Sequence, residues 1–342
     1  MIWTDVRVGF TCNNACKFCD QAETGDASSE ALERRLRELP HRDGVILAGG
    51  EVTIRPDLPA LVATARRLGF RRVAIQTNGR VLAARGASAH LRAQGLTDAI
   101  VAIHADRADV HDWLVSVEGA WRQATAGARA AAASGVNTRL ATVLTRSNLA
   151  ALAGLPALAT RLGASGLRFI VAREEGRARD TARMMVPRLS LAAEALEPVL
   201  DAALAMRIDV EVVGVPLCLL PRHRALAADR LDSSPVHHAF AIGAPTTRAR
   251  AYAAPCQPCR LRHACPGLDA AYLARHGDGE LPAAPPLATL LVTRDTPGRV
   301  LKQALVRARR LGATHLRLEG DAEHPEWHNL VREAARLGLA LQ

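Results

Sequence analysis

An α/β protein is predicted, built as a partial (β/α)6 barrel of the TIM type followed by a cysteine-bearing region and a small α/β tail. Three observations lead there. Short apolar runs of strand length alternate with helical stretches through the first two thirds of the chain, the pattern of a parallel sheet with crossover helices. Polar and cysteine-bearing loops recur where those strands end, and barrels of this kind gather their chemistry at the carboxyl ends of the strands. Beyond residue 210 the alternation stops and a compact cysteine group appears.

Taken in order, residues 6–10 read as a short apolar strand that runs into a cysteine loop. A helical spacing over 31–39 precedes a buried strand at 44–48, which ends in Gly49-Gly50-Glu51. An amphipathic helix at 58–68 is closed by Gly69, and the strand 72–76 ends in Thr77-Asn78-Gly79. Strand 99–104 with His104, helix 121–134, strand 137–144, helix 149–162, strand 167–171 and helix 191–206 complete a barrel expected over 1–210. An apolar strand at 212–220 carrying Cys218 opens a second region, 211–281. Within it a loop holding His237-His238, expected over the barrel mouth, precedes the cysteine group. A proline-rich linker at 282–286 leads to the tail, 287–342. The tail reads as a degenerate copy of the first barrel unit: 318–325, Leu330-Val331 and Leu337-Gly338 echo 47–56, Leu61-Val62 and Leu68-Gly69. Chance similarity between two units of biased composition is the alternative.

At 342 residues with 49% hydrophobic content, a sizeable core is no difficulty. The formal charge of +10 comes almost entirely from arginine, since lysine occurs only at Lys17 and Lys302. The arginines are scattered, many on polar helix faces such as Arg34-Arg35 and Arg309-Arg310. That scatter favours solvated faces over a nucleic-acid surface, and charge alone leaves an RNA or acidic-peptide partner open. There is no apolar run long enough to cross a membrane and no signal peptide at the first residues, so no membrane partner and a cytoplasmic location are expected. Seven cysteines, an odd number without a secretory signal, argue against a disulfide framework. They fall into groups of three and four.

Cys12, Cys16 and Cys19 stand in a C-x3-C-x2-C spacing on one loop. Three thiolates can ligate three irons of a cubane and leave the fourth iron open for a small chelating ligand. A structural zinc site would want a fourth ligand, and no cysteine or histidine follows at close spacing. Gly49-Gly50-Glu51 lies at a strand end, where backbone without side chains allows close approach and a carboxylate can accept from an ammonium group. Arg173 and Glu174, after the strand at 167–171, could hold a charged substrate.

The cysteine loop, with Phe18 just before its third cysteine, resembles the signature of the radical S-adenosylmethionine (radical SAM) superfamily, and Gly49-Gly50-Glu51 resembles that family's GGE motif, with Val52 where a proline is usual. The resemblance implies a [4Fe–4S] cluster on Cys12, Cys16 and Cys19 that cleaves S-adenosyl-L-methionine to a 5′-deoxyadenosyl radical. It places cofactor contacts at Phe18, Gly49, Gly50, Glu51, Thr77, Asn78 and His104. Ala141 stands where relatives often carry a polar ribose contact, with Thr145 or Asn148 as substitutes. Cys256-x2-Cys259-x5-Cys265 resembles the centre of SPASM and twitch domains. Asp269 at the next ligand position excludes a two-cluster SPASM arrangement. Cys218 would complete the four thiolates of one auxiliary [4Fe–4S] cluster; the same four suit zinc. The implied activity is hydrogen abstraction from a ribosomally made peptide or protein, with a reductant such as flavodoxin or ferredoxin. The alternatives are small-molecule or cofactor biosynthesis and a non-catalytic iron–sulfur protein.

Overall fold

In the computed structural model of the chain, seven parallel strands rise one after another: β1 (Trp3–Arg7), β2 (Gly44–Ala48), β3 (Arg72–Thr77), β4 (Asp98–Ala102), β5 (Asn137–Leu144), β6 (Gly166–Val171) and β7 (Asp209–Val213). An eighth, β8 (Val236–Phe240), pairs in parallel with the outer edge of β1, giving the order β7-β6-β5-β4-β3-β2-β1-β8. The sheet is curled and does not close, so it is a partial barrel. The structure describes residues 2–21, 25–231, 236–240, 249–282, 287–310, 313 and 315–341.

Parallel strands need long crossovers, and helices supply them. They are α1 (Ser29–Glu38), α2 (Leu58–Arg67), α3 (Ala87–Ala93), α4 (Ala108–Val115), α5 (Ala120–Ala133), α6 (Leu155–Leu162), the short α7 (Ala182–Met185) and α8 (Leu189–Ala205). Ser28 caps α1, its Oγ accepting from the Ala31 amide at 3.2 Å, and Leu32 and Leu36 form its buried side. Alanine fills α5 because small side chains let a helix lie close: a Cβ at Gly127 would stand 1.9 Å from the Gly79 carbonyl oxygen. β2 is buried at every position, as expected of a strand covered on both faces.

Several sequence expectations shift. The first strand was expected at 6–10 but ends at Arg7, because the amides of Phe10 and Thr11 turn to the Asp26 carboxylate instead of a ladder partner. The strand expected at 212–220 stops at Val213; Gly214 has φ +89° and Pro216 follows, so Cys218 sits in a 3-10 turn, Leu217–Leu219. The limit at residue 210 falls inside β7. His237-His238, expected in a loop, lies in β8 opposite Thr4 and Asp5. The helix expected at 149–162 begins as a 3-10 turn, Leu149–Ala151, and becomes α-helical at Leu155.

Two compact units are present. The first comprises 1–252 and 261–280, and the second 253–260 and 281–342. Besides the sheet, the first unit holds an antiparallel pair, β9 (Arg250–Ala251) with β10 (Leu268–Asp269), and α9 (Ala270–His276). The second has its own three-stranded parallel sheet, β11 (Leu287–Val292), β12 (His315–Gly320) and β13 (Ala340–Leu341), with α10 (Gly298–Arg310) and α11 (Trp327–Arg336). Of the linker expected at 282–286, all but residue 282 lies outside the described residues.

The segments of the expected echo share local features. α2 and α11 are both ten residues long and begin after caps of the same conformation, Asp57 at φ −87°, ψ −2° and Glu326 at φ −87°, ψ −1°. The chain then leaves each helix by the same bond, Phe70 amide to Ala65 carbonyl and Leu339 amide to Ala334 carbonyl. Gly49 and Gly320 end the matching strands with φ +137° and +116°.

Candidate active site

The cysteine loop is built by its neighbours. On one side the amides of Ala15 and Lys17 donate to the last carbonyls of α4, Val115 and Leu114, at 3.0 and 2.9 Å. Those carbonyls have no partner within their helix, so the loop satisfies a helix end while the helix fixes the loop. On the other side the Thr181 hydroxyl donates to the Lys17 carbonyl at 3.0 Å. Gly176 lies so close that a Cβ there would stand 2.6 Å from the Cys19 carbonyl oxygen.

The strand ends of β2 and β3 close the site from below. The amides of Gly50 and Glu51 donate to Gly9 and Thr11 at 2.8 Å each. A Cβ on Gly50 would lie 2.1 Å from the Thr11 oxygen, and one on Gly49 would lie 2.3 Å from the Gly9 oxygen. The glycines are therefore required by the docking of β2 onto the cysteine loop, a reason distinct from the close cofactor approach that the motif suggested. Glu51 is only 2% exposed. Its Oε1 accepts from the Thr53 amide (3.0 Å), the Thr53 hydroxyl (2.5 Å) and the Thr77 hydroxyl (2.5 Å), and its Oε2 from the Asn78 amide (2.6 Å). One carboxylate thus ties the end of β2 to the end of β3.

Asn78 carries the connection upward: its side-chain amide donates to Asn13 at 2.6 Å. Arg80 completes the frame, donating to the Asn13 carbonyl (2.5 Å), to Asn14 (2.8 Å) and to Gln123 (2.6 Å). Arg80, Asn13, Asn14 and Asp26 were not singled out from the sequence. Only Arg80 had a readable signal, the turn Thr77-Asn78-Gly79 immediately before it.

Phe18, His104 and Thr145 lie in the interior with partners of their own. Phe18 packs with Leu114, Ala172 and Met185 and meets the His104 ring edge-on at 4.7 Å. His104 accepts from the Val143 amide at 3.2 Å and stacks on His111 at 5.3 Å. Burial, followed by the neighbouring His111, holds the His104 imidazole well below its ordinary pKa. Burial also lowers His111, to about 4. The Thr145 amide and hydroxyl are both held by Asn148 Oδ1 at 2.7 and 3.0 Å.

None of the seven cysteines is in a disulfide. Among the described residues no three His, Cys, Asp or Glu converge as a single-ion site. A cubane asks for something else, since each thiolate takes its own iron. Burial raises Cys12 and Cys19, and it raises Cys16 to about 12, with the nearby Cys19 and Cys12 adding to the effect. Arg177 acts on all three in the opposite direction and Arg80 on Cys12. Three thiols within electrostatic reach, flanked by guanidinium groups, fit an iron–sulfur cluster, whose positive irons favour the thiolate. The turn Cys256-x2-Cys259 is closed by the same bond as Cys16-x2-Cys19, an amide-to-carbonyl contact of 3.2 Å in each. Cys265 is buried in the first unit, its carbonyl accepting from the Tyr252 hydroxyl at 2.8 Å.

Arg173 and Glu174 line a cleft at the ends of β6 and β7 with Ile170, Val213, Arg250 and Tyr272. Both are internally paired, Arg173 with Asp20 at 2.5 Å and Glu174 with Arg275 at 2.5 Å. No helix among the described residues is long and apolar enough to cross a membrane.

Residues 6–153 match the family model of the Radical SAM superfamily. The chain therefore carries a radical SAM domain over that span. AdoMet-dependent heme synthase of Oleidesulfovibrio alaskensis is 29% identical over 175 residues, 49% of this chain and 45% of its own. Mycofactocin maturase MftC of Mycobacterium ulcerans is 32% identical over 180 residues, 50% of this chain and 47% of its own. The chain spans about half the length of these curated relatives. The crystal structure of Streptococcus suis SuiB bound to precursor peptide SuiA shares the fold, with a TM-score of 0.51 at 16% identity over 61% of this chain and 48% of that one.

Proposed function

We propose that the protein is a radical SAM enzyme that modifies a ribosomally made peptide or protein. The observation that carries the reading is the frame around Cys12, Cys16 and Cys19, in which Gly50, Glu51, Asn78 and Arg80 lock the cysteine loop to two strand ends. In this reading the three cysteines hold a [4Fe–4S] cluster. Together with S-adenosyl-L-methionine, the cluster supplies a 5′-deoxyadenosyl radical when bound. Gly49, Gly50, Glu51, Thr77 and Asn78 border the cofactor, while Phe18, His104 and Thr145 support that wall from behind. Cys218, Cys256, Cys259 and Cys265 serve as ligands of an auxiliary cluster, and a flavodoxin or ferredoxin supplies electrons.

The peptide assignment draws on the similarity to mycofactocin maturase MftC over half of the chain. A second reading, small-molecule or cofactor biosynthesis, is favoured by the AdoMet-dependent heme synthase match over a similar span. The test is 5′-deoxyadenosine production by anaerobically reconstituted protein with dithionite, against Cys16→Ala, with and without candidate peptides. Production that the Cys16 variant lacks and a peptide stimulates supports the first reading. Stimulation by a metabolite alone supports the second, and no production by the loaded protein under any condition removes both. Iron near eight per chain, falling to about four in a Cys256→Ala/Cys259→Ala variant, is the expected sign of the auxiliary cluster.

A further inference from the structure

We infer that the outer face of the cysteine loop is the docking surface for an acidic one-electron donor protein, an inference that rests on the radical reading above. Lys17 sits between Cys16 and Cys19, and its backbone is gripped from both sides, by Leu114 of α4 and by Thr181 beside α7. The exposed faces of those two gripping elements carry the patch. Trp113 on α4 is 47% exposed and Met184 on α7 is 58% exposed, so both leave much apolar surface in water. The Lys17 ammonium stands 5.0 Å from the centre of the Trp113 ring and bonds the Ser116 hydroxyl at 2.9 Å.

Charge points the same way. Between Gly176 and Val186 three exposed arginines, Arg177, Arg179 and Arg183, stand with one acid, Asp180. Exposed Arg146 joins them, its guanidinium donating to the Arg183 carbonyl at 2.6 Å. The nearby acids Asp20 and Asp109 already have arginine partners, Arg173 and Arg107. An apolar centre ringed by positive charge complements an acidic protein that carries its redox group at an exposed edge. Lys17, under the patch, is the chain neighbour of Cys16 and lies two residues from Cys19, so a donor seated there is close to two of the ligands. In the transfer, an anionic flavin hydroquinone gives up one electron and becomes the neutral semiquinone, and the cluster core passes from 2+ to 1+.

The test uses loaded protein and a bacterial flavodoxin as the probe, comparing wild type with Arg183→Glu and with Arg183→Glu/Met184→Glu. Two readouts are taken: flavodoxin affinity by biolayer interferometry, and the rate at which flavodoxin hydroquinone bleaches the cluster absorbance. Affinity and rate should each fall by about tenfold or more in the double variant and less in the single one, with salt weakening the wild-type complex. Reduction by dithionite should be the same in all three proteins. Unchanged flavodoxin affinity in both variants overturns the inference, as does loss of peptide binding with flavodoxin binding intact. The affinity measurement decides the surface even if no 5′-deoxyadenosine is ever formed, so its failure and that of the functional reading are separable.

Discussion

Glu51 shows how a side chain expected at a cofactor can also hold the frame together. Its place after two glycines marked it for a cofactor, but the structure gives it four donors from the protein itself, at Thr53, Thr77 and Asn78. Replacing it by Gln keeps the shape but sets an amide donor against donors, which costs roughly 1–3 kcal/mol. The Glu51→Gln variant should therefore melt lower even without iron or cofactor; an unchanged melt of the iron-free protein would assign the residue to the cofactor alone. His104 and His111 make a second residue-scale prediction. Both are held neutral by burial, His111 with a pKa of about 4 against an ordinary 6.5. Below pH 6.5 the unfolded chain binds protons that the folded chain refuses. Stability is therefore full above 6.5 and is lost as the pH falls toward 4, by roughly 3 kcal/mol from His111 alone. Urea midpoints between pH 7.5 and 5 should fall less for His111→Asn than for wild type. From the sequence the cysteines and Glu51 were legible because their types and spacings are rare together. The partners Arg80, Asn13 and Asp26 were not, because an arginine or asparagine that braces a loop looks like any surface residue until the fold brings it there.

At the scale of elements, the strands 44–48 and 137–144 were legible to the residue, each an apolar run bounded by turn residues. Where the apolar run outlasted the strand, the reading overshot. Residues 212–220 look continuous, but the ladder ends at Val213 because Gly214 takes a positive φ and Pro216 follows. β8 was missed because its pairing with β1 is a long-range choice that local pattern does not encode. The docking of β2 on the cysteine loop is the element contact on which the site depends. A methyl on Gly50 would meet the Thr11 carbonyl at 2.1 Å, backbone against backbone, with no flexible side chain to yield. Gly50→Ala should therefore reduce iron retained per chain after anaerobic desalting at least severalfold, whereas Gly279→Ala, with nothing within 4 Å of its added Cβ, should retain it. Equal retention by the two variants would show that the loop tolerates a shifted strand.

The two units each have a core of their own, and this sets what a mutation in one can do. In the second unit Val292, Leu301, Leu305, Leu316, Leu330, Ala334 and Leu339 form one buried cluster under α10 and α11. The β12 residues that alternate with Leu316, namely Arg317 and Glu319, are exposed and paired with each other. β2, its counterpart in the barrel, is buried at every position. The second unit's sheet thus has a polar face at β12, whereas β2 is covered on both faces. Leu330 is fully buried at the centre of that cluster, so Leu330→Ala removes three heavy side-chain atoms and leaves a cavity, at a cost of about 2–5 kcal/mol. A module this small has little stability to lose. Hydrogen exchange of the variant should therefore show α10, α11 and β12 opening at rates near those of the unfolded chain, while the amides of β2 to β5 keep their protection. Loss of protection in β2 to β5 to the same extent would mean that the two cores fold as one, and that the tail is part of the barrel's stability.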